Sequence, residues 1–304
     1  MTAYTIDAWN FSGDPYYREL GFTSSAELRS LWSVSARAGF LPSSTDDRLT
    51  RGGPLVGAPS RWTAAGSVQS DLRRKLIGSF STSLTHGGVN GSEWSMTPSV
   101  IYRPINKLQL SLAPTFDVVH DRAQYVSTIA DSSNTLTDGN DYVFADLRQR
   151  TLSVNARADW SLTNTLTAQL FVQPFISMAH FGGYKALRKP RTFDFDVFGR
   201  DRGMVESLPD GRVRIDPDGD AGEQPAFILG DNANETSFVS RAIRVNGVIR
   251  WEYRSGSTIY LVWQQTRDGS AAVDGTSLWN GLDRVLTVPA KNVVYFKGSY
   301  RSGR

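Results

Sequence analysis

Long runs of strict apolar–polar alternation constrain this chain more than any other feature. From Val239 to Tyr253 one set of alternate positions reads Val239, Ile243, Val245, Gly247, Ile249, Trp251 and Tyr253, with Arg241 the exception near one end. The intervening set reads Ser240, Ala242, Arg244, Asn246, Val248, Arg250 and Glu252. Successive side chains of a strand point to opposite faces, so this segment has one apolar face and one polar face. The same pattern recurs over Trp32–Phe40, Trp94–Tyr102, Leu108–Val118, Leu152–Leu162 and Leu166–Met178. Weaker alternation marks residues 2–11, 62–72, 75–85, 257–267 and 288–300, which brings the total to about eleven strands.

Length separates a membrane wall from a soluble sheet. Soluble strands centre near 5–6 residues, whereas many of these runs reach about 12–20. Their polar faces also carry charges and amides in mid-strand, as a wet lumen tolerates. Short connections (Leu72–Lys75, Arg103–Lys107, Leu162–Asn164, Arg254–Ser257) alternate with long polar ones (Leu41–Arg61, Ala123–Asn140, Arg188–Asn234, Asp268–Arg284). Tight turns at one end and long loops at the other are the signature of a transmembrane β-barrel. Trp94, Tyr102, Trp160, Trp251 and Tyr253 close the apolar faces, where amphipathic rings meet the headgroups. The expected fold is all-β, an antiparallel transmembrane β-barrel in a bacterial outer membrane.

Composition agrees once the period is known. Mean hydropathy is −0.31 and only 40% of the 304 residues are hydrophobic. That excludes membrane helices, but a barrel needs apolar residues only at every second position. With no cysteine, a disulfide scaffold and a thiolate-ligated metal are excluded. The net charge of +3 comes without a basic run, so no nucleic-acid partner is expected.

Several segments resemble a known family. Leu49-Thr50-Arg51-Gly52-Gly53-Pro54-Leu55 is similar to a Thr-Arg-Gly-Gly-Pro-Leu loop motif. Arg250 to Thr258 with Leu261-Val262-Trp263 resembles an Arg-Trp-Glu-Tyr-Arg-Pro-Gly-Ser-Thr…Val-Trp hairpin, with Ser255 in place of the usual Pro. Tyr142-Val143-Phe144-Ala145 and Gln173-Pro174-Phe175-Ile176-Ser177 fit the same pattern. These segments resemble the C-terminal outer-membrane barrel module of uncharacterised Gram-negative proteins, in which a family-9-type carbohydrate-binding domain usually comes first. The resemblance implies an outer-membrane location and a link to glycans, and it brings no catalytic residues. The opening MTAYTIDAWNF lacks the features of a secretory signal. An odd strand count also leaves the first strand running the wrong way for a chain that enters from the periplasm. Residues 1–304 are therefore expected to be the C-terminal portion of an N-terminally truncated barrel, without its upstream strands, sugar-binding domain and signal peptide.

The polar faces supply the candidate site. Asp117, Asn155, Arg157, Asp159, Gln169, Gln173, Arg244, Asn246, Arg250 and Glu252 would line the lumen and bias which solutes pass. The same residues could instead pair across strands and fill the interior. Asp216, Asp218 and Asp220, followed by Glu223, form a weak calcium pattern that lacks the EF-hand spacing; otherwise no cofactor is expected. A histidine hydrolase would have to combine one of His86, His120 and His180 with groups such as Asp121 and Ser177. Arg188, Arg191, Arg200 and Arg202 could meet lipid headgroups or lipopolysaccharide. The expected function is a monomeric channel or membrane anchor tied to glycan binding or uptake, with an oligosaccharide as ligand. The alternatives are an outer-membrane glycan hydrolase with a loop-borne site, and a scaffold that anchors a periplasmic sugar-binding domain.

Overall fold

The computed structural model describes residues 1–132, 134–219, 225–231, 235–272, 278 and 284–302. Twelve strands form one meander in which each is hydrogen-bonded to the next in sequence, always antiparallel. They are β1 (Thr2–Trp9), β2 (Pro15–Glu27), β3 (Ser33–Leu41), β4 (Arg61–Gln69), β5 (Leu76–Gly87) and β6 (Ser92–Ile105). The meander continues through β7 (Leu108–Ala130), β8 (Asn140–Ser161), β9 (Leu166–Leu187), β10 (Phe238–Arg254), β11 (Ser257–Ala272) and β12 (Lys291–Ser299). The wall is that of a barrel, although β1 and β12 do not pair with each other among the described residues.

The alternation sorts side chains as expected. Leu112, Trp94, Phe80, Ile249 and Leu261 stand exposed on one face, an apolar surface of the kind a membrane barrel turns to lipid. The opposite face carries hydroxyls, amides and charges, and a hollow opens on it.

β2 is the strand that alternation did not reveal. Leu20 and Phe22 lie on the apolar face, but so do Arg18 and Ser24, which break the pattern. Arg18 is tolerated there because its Nε lies 2.9 Å from Asp7 Oδ1 on β1. With β2 included the count is twelve rather than about eleven, and both ends of the meander lie at the short-turn rim. The odd count, and the wrong-way first strand inferred from it, are thereby corrected.

β7, β8 and β9 are 23, 22 and 22 residues long. At about 3.4 Å per residue, 22 residues make about 75 Å of strand, far more than a tilted strand needs to cross the ~25 Å apolar band. Their surplus forms a three-stranded blade beyond the long-loop rim. Bulges at Phe144/Asp146 and Ala145/Leu147 mark where the blade leaves the wall. Tyr142-Val143-Phe144-Ala145 breaks the alternation because both faces of the blade are buried. Tyr142 and Phe144 pack with Val56, Val89 and Leu187, joined by Phe193 and Phe195. Val143 and Ala145 pack on the other side with Phe198, Val213, Ile215 and Leu229.

The covering pieces come from the long connections. Residues 42–60 contain a small hairpin, Ser44–Asp46 with Val56–Ala58. Residues 188–237 contain a three-stranded sheet, Met204–Ser207, Val213–Asp216 and Phe227–Leu229. Along β8, Val143 and Ala145 have the parity of the polar inner face, so this sheet lies over the continuation of the lumen wall. Arg191 ties the layer to the far side, with Nη1 2.6 Å from Asp14 Oδ1 across 177 positions of sequence.

At the opposite rim, the turn between β4 and β5 is set by Asp71. Its Oδ1 accepts from Arg73 Nε and from the Arg73 backbone N–H, each at 3.0 Å. Arg73 thereby holds the carboxyl down at about 2, against a usual 3.8. A depressed folded pKa means the stabilisation is fully present above the unfolded value and is lost as pH falls toward the folded one. The denaturant midpoint of the protein should therefore drop between about pH 4 and pH 2, and Asp71→Asn should flatten that part of the curve. An unchanged slope in the variant would mean that Asp71 does not carry it.

Candidate functional site

The inner face is built from strand parity, and its first half is dominated by small hydroxyls. Register places Ser25, Ser35, Ser67, Ser81, Thr97 and Thr115 along one continuous row from β2 to β7. Neighbours bond to one another: Ser35–Ser67 at 2.8 Å, Ser79–Ser99 at 2.6 Å, Thr97–Thr115 at 3.0 Å and Thr151–Ser177 at 2.9 Å. Small side chains keep this part of the wall thin. A hollow of about 470 Å³ opens along it, lined by Thr23, Ser35, Arg37, Ser67, Ser81 and Ser95 among others.

A second hollow of about 240 Å³ lies toward the long-loop rim and shares Arg37. Its floor holds Glu19, which is buried at 2% exposure. The Tyr4 hydroxyl donates to Glu19 Oε1 at 2.7 Å, Arg37 Nη2 donates to the same oxygen at 2.7 Å, and the Tyr17 hydroxyl donates to Oε2. One carboxylate thus links β1, β2 and β3. A buried charge of this kind is tolerated only when it is paired and hydrogen-bonded. Tyr4 reaches Glu19 by crossing Gly21, where a Cβ would sit 2.1 Å from the Tyr4 Cζ. The glycine is what leaves room for the ring.

The ten lumen candidates all fall on the inner face, in the half of the wall formed by β7 to β10. Two groups are tied together. Arg157 grips Asp159 with two hydrogen bonds of 2.8 Å, and Gln169 Nε2 donates to Asp159 at 3.0 Å. Arg250 Nη2 lies 3.3 Å from Glu252 Oε2, and its Nε donates to the Tyr260 hydroxyl at 3.2 Å. Asp117, Asn155, Gln173, Arg244 and Asn246 hold no side-chain hydrogen bond among the described residues; Arg244 is exposed and the other four are half-buried. Phe171 and Phe175 alternate with Gln169 and Gln173 along β9, so the polar face carries two rings beside its amides. The wall is therefore asymmetric, with a hydroxyl half and a half of charges, amides and rings. The hydroxyl row and the Glu19 knot were not expected from sequence; the recurring Ser-x-Ser in Ser79–Ser83 and Ser33–Ser35 was the signal available.

Other candidates are dispersed. His120 and His180 lie opposite Arg148 on the outer face of the sheet, whereas Ser177 and Asp121 lie on the inner face. The sheet stands between them, so the histidine hydrolase grouping is not assembled. Asp216 Oδ1 accepts from the Gly219 N–H at 3.0 Å, Asp218 stands in the same turn, and Asp220 and Glu223 lie outside the described residues. Among the described residues no three acidic or histidine side chains gather as a metal site. The four loop arginines are all engaged by carboxylates. Arg188 pairs with Asp194 and Asp196, Arg191 with Asp14, Arg200 with Asp201, and Arg202 with Asp131 and Asp141. Burial pushes the Asp141 carboxyl above its usual range, and the Arg202 guanidinium beside it pulls the other way.

No family model matches the chain, and no curated protein matches it. Among solved structures it is similar to "Copper transporter OprC", with a TM-score of 0.47 and 8% identity over 93% of this chain. The chain spans 39% of the length of that protein. It is also similar to "LpxR from Salmonella typhimurium", with a TM-score of 0.25 and 8% identity, covering 84% of this chain and 86% of that one.

Proposed function

We propose that this chain forms a wall of an outer-membrane channel in a Gram-negative bacterium, and that the solute it admits is polar and hydroxyl-rich, of the oligosaccharide class. The observation that carries this reading is the asymmetric inner face. A row of serine and threonine hydroxyls runs along one half, and amides, guanidinium groups and the rings of Phe171 and Phe175 stand on the other. Hydroxyls and amides exchange hydrogen bonds with a solute at little net cost, and the half-buried rings of Phe171 and Phe175 suit the apolar faces of sugars. Lipid tolerates no open sheet edge, so β1 and β12 must each find a partner, in each other or in further strands. Upstream strands and a sugar-binding domain belong to the same proposal.

The test is conductance. Refolded protein in a planar bilayer should give discrete steps. Ser67→Trp with Ser81→Trp, which fills the 470 Å³ hollow, should lower the step size without abolishing insertion. Malto-, cello- and xylo-oligomers added to one side should interrupt the current, and Phe171→Ala should shorten the interruptions. Stable insertion without any steps would overturn the channel. It would favour a second reading, an anchor, which has its own support in the loop strands Met204–Ser207, Val213–Asp216 and Phe227–Leu229, packed over the continuation of the inner face.

A further inference from the structure

The lipid-facing side carries a row of basic residues that the pore does not use. Register across β5 to β9 sets His86, Ser92, His120, Arg148 and His180 side by side on one rung. Directly opposed side chains in a sheet have Cβ atoms about 4.5–5.5 Å apart, so His120, Arg148 and His180 form a continuous strip. Arg150 stands one rung lower, between Val118 and Met178. Arg148 and Arg150 are both exposed. Neither has an ion pair or side-chain hydrogen bond among the described residues, unlike Arg188, Arg191, Arg200 and Arg202. The next carboxylate along the same face, Asp146, is occupied by Lys185 Nζ at 2.7 Å.

Depth decides what such a strip meets. On β8 the outward positions run Trp160, Ala158, Ala156, Val154, Leu152, Arg150 and Arg148; Leu152 is buried with Ile176 and Met178 in a cluster that Leu278 helps cover, and Arg150 and Arg148 are exposed beyond it. Trp160 marks one membrane interface. Arg150 lies ten residues away, about 34 Å of strand, which at a tilt of about 40° is about 26 Å of depth. The apolar band is about 25 Å tall, so Arg150 sits at its far boundary and Arg148 within the headgroup layer. An unpaired guanidinium pointing into hydrocarbon is costly; at that boundary it meets phosphate, which guanidinium binds in bidentate geometry.

We propose that Arg148 and Arg150, flanked by His120 and His180, form a docking site for the phosphate groups of an outer-leaflet phosphoglycolipid. The site rests on the reading of the chain as a membrane barrel. It moves lipid recognition from the loop arginines, which are engaged by aspartates, to arginines held on strands.

The test uses the full chain refolded in neutral detergent, with diphosphoryl lipid A as probe and its dephosphorylated form as control. Wild type should retain the phosphorylated probe at least about tenfold better, the factor expected for losing one charge-assisted contact. Arg148→Gln with Arg150→Gln should abolish that preference, and Arg148→Lys with Arg150→Lys should keep most of it. Heat-modifiable mobility on gels reports whether each variant is folded. A wild type without preference, or a glutamine variant that keeps it, would overturn the site. So would full displacement of the probe by millimolar inorganic phosphate, which would mark a soluble anion as the ligand. Failure of the wild type to insert into phosphatidylcholine vesicles would count against the barrel itself and is read separately.

Discussion

Phe144→Ala should destabilise the blade by about 3–5 kcal/mol, the cost of emptying a well-packed aromatic site. Phe144 is fully buried, and its ring meets Tyr125 and Phe195 edge-on with centroids 5.9 and 5.3 Å away. Its neighbours come from four separate stretches: β7 through Tyr125, the 42–60 connection through Val56, the end of β9 through Leu187, and the 188–197 segment through Phe195. Little can collapse into the vacancy, because each neighbour is fixed by its own strand. The loss should be local. Hydrogen exchange should rise over residues 42–60 and 188–197 while β4 to β6 stay protected. Uniform loss of protection across the wall would show that blade and wall unfold together. Phe144→Leu, which keeps most of the volume, should recover over half of the stability.

Leu112→Arg should cost about 2–4 kcal/mol, the penalty for a cation near the bilayer midplane on the outer face of a barrel. Leu112 is half exposed on β7, between Val100 on β6 and Ala156 on β8. In detergent micelles or lipid its surroundings are hydrocarbon. The neighbouring Ala113 points inward, so Ala113→Arg should cost little by comparison. The contrast between adjacent positions is the measurement, taken as folding free energies from denaturant titration into vesicles. Equal costs at the two sites would contradict the assignment of faces. Val154 is a poorer reporter, because it packs against the cluster of Leu152, Ile176, Met178 and Val239, where Leu278 also contributes cover.

The wall was legible in the sequence because period-two alternation is set by each residue's own surroundings, lipid on one side and water on the other. Where that contrast fails, so does the reading. β2 went unseen because the Arg18–Asp7 pair and the inward Tyr17–Glu19 contact put polar groups on both faces. The end of β7 from Ala123 onward reads as loop because Gln124, Ser127 and Thr128 interrupt any apolar alternation, and Tyr142–Ala145 on β8 shows no alternation because both of its faces are apolar and buried, a pattern shared with any buried segment. The motif Arg51-Gly52-Gly53 was visible as a motif but not as a contact. Arg51 has φ of 53° with its guanidinium 4.8 Å from the Tyr125 ring centroid, and Gly53 lies flat against Tyr142, where a Cβ would come within 2.2 Å of the ring. Those partners are some 75 to 90 positions away, and spacing alone does not connect them. Alternation alone puts the ten lumen candidates on one common face of the sheet, yet their pairings depend on register between strands. Arg148 and Arg150 needed only two more steps of alternation upstream of Leu152, past the point where the apolar residues stop.

The stitching of residues 10–14, 42–60 and 188–195 into one layer bears on how a large molecule would meet the long-loop rim. The surface offered there is a mosaic, contributed by segments far apart in the chain and locked by Arg191 on Asp14 and by the Leu55 carbonyl accepting from the Arg191 N–H at 2.7 Å. An antibody raised against a synthetic peptide of residues 47–58 would see a chain free of these restraints, without the Tyr125 and Tyr142 rings that hold Arg51 and Gly53 in place. Recognition of the folded protein at this rim would depend on a discontinuous epitope, present only when the three segments are assembled.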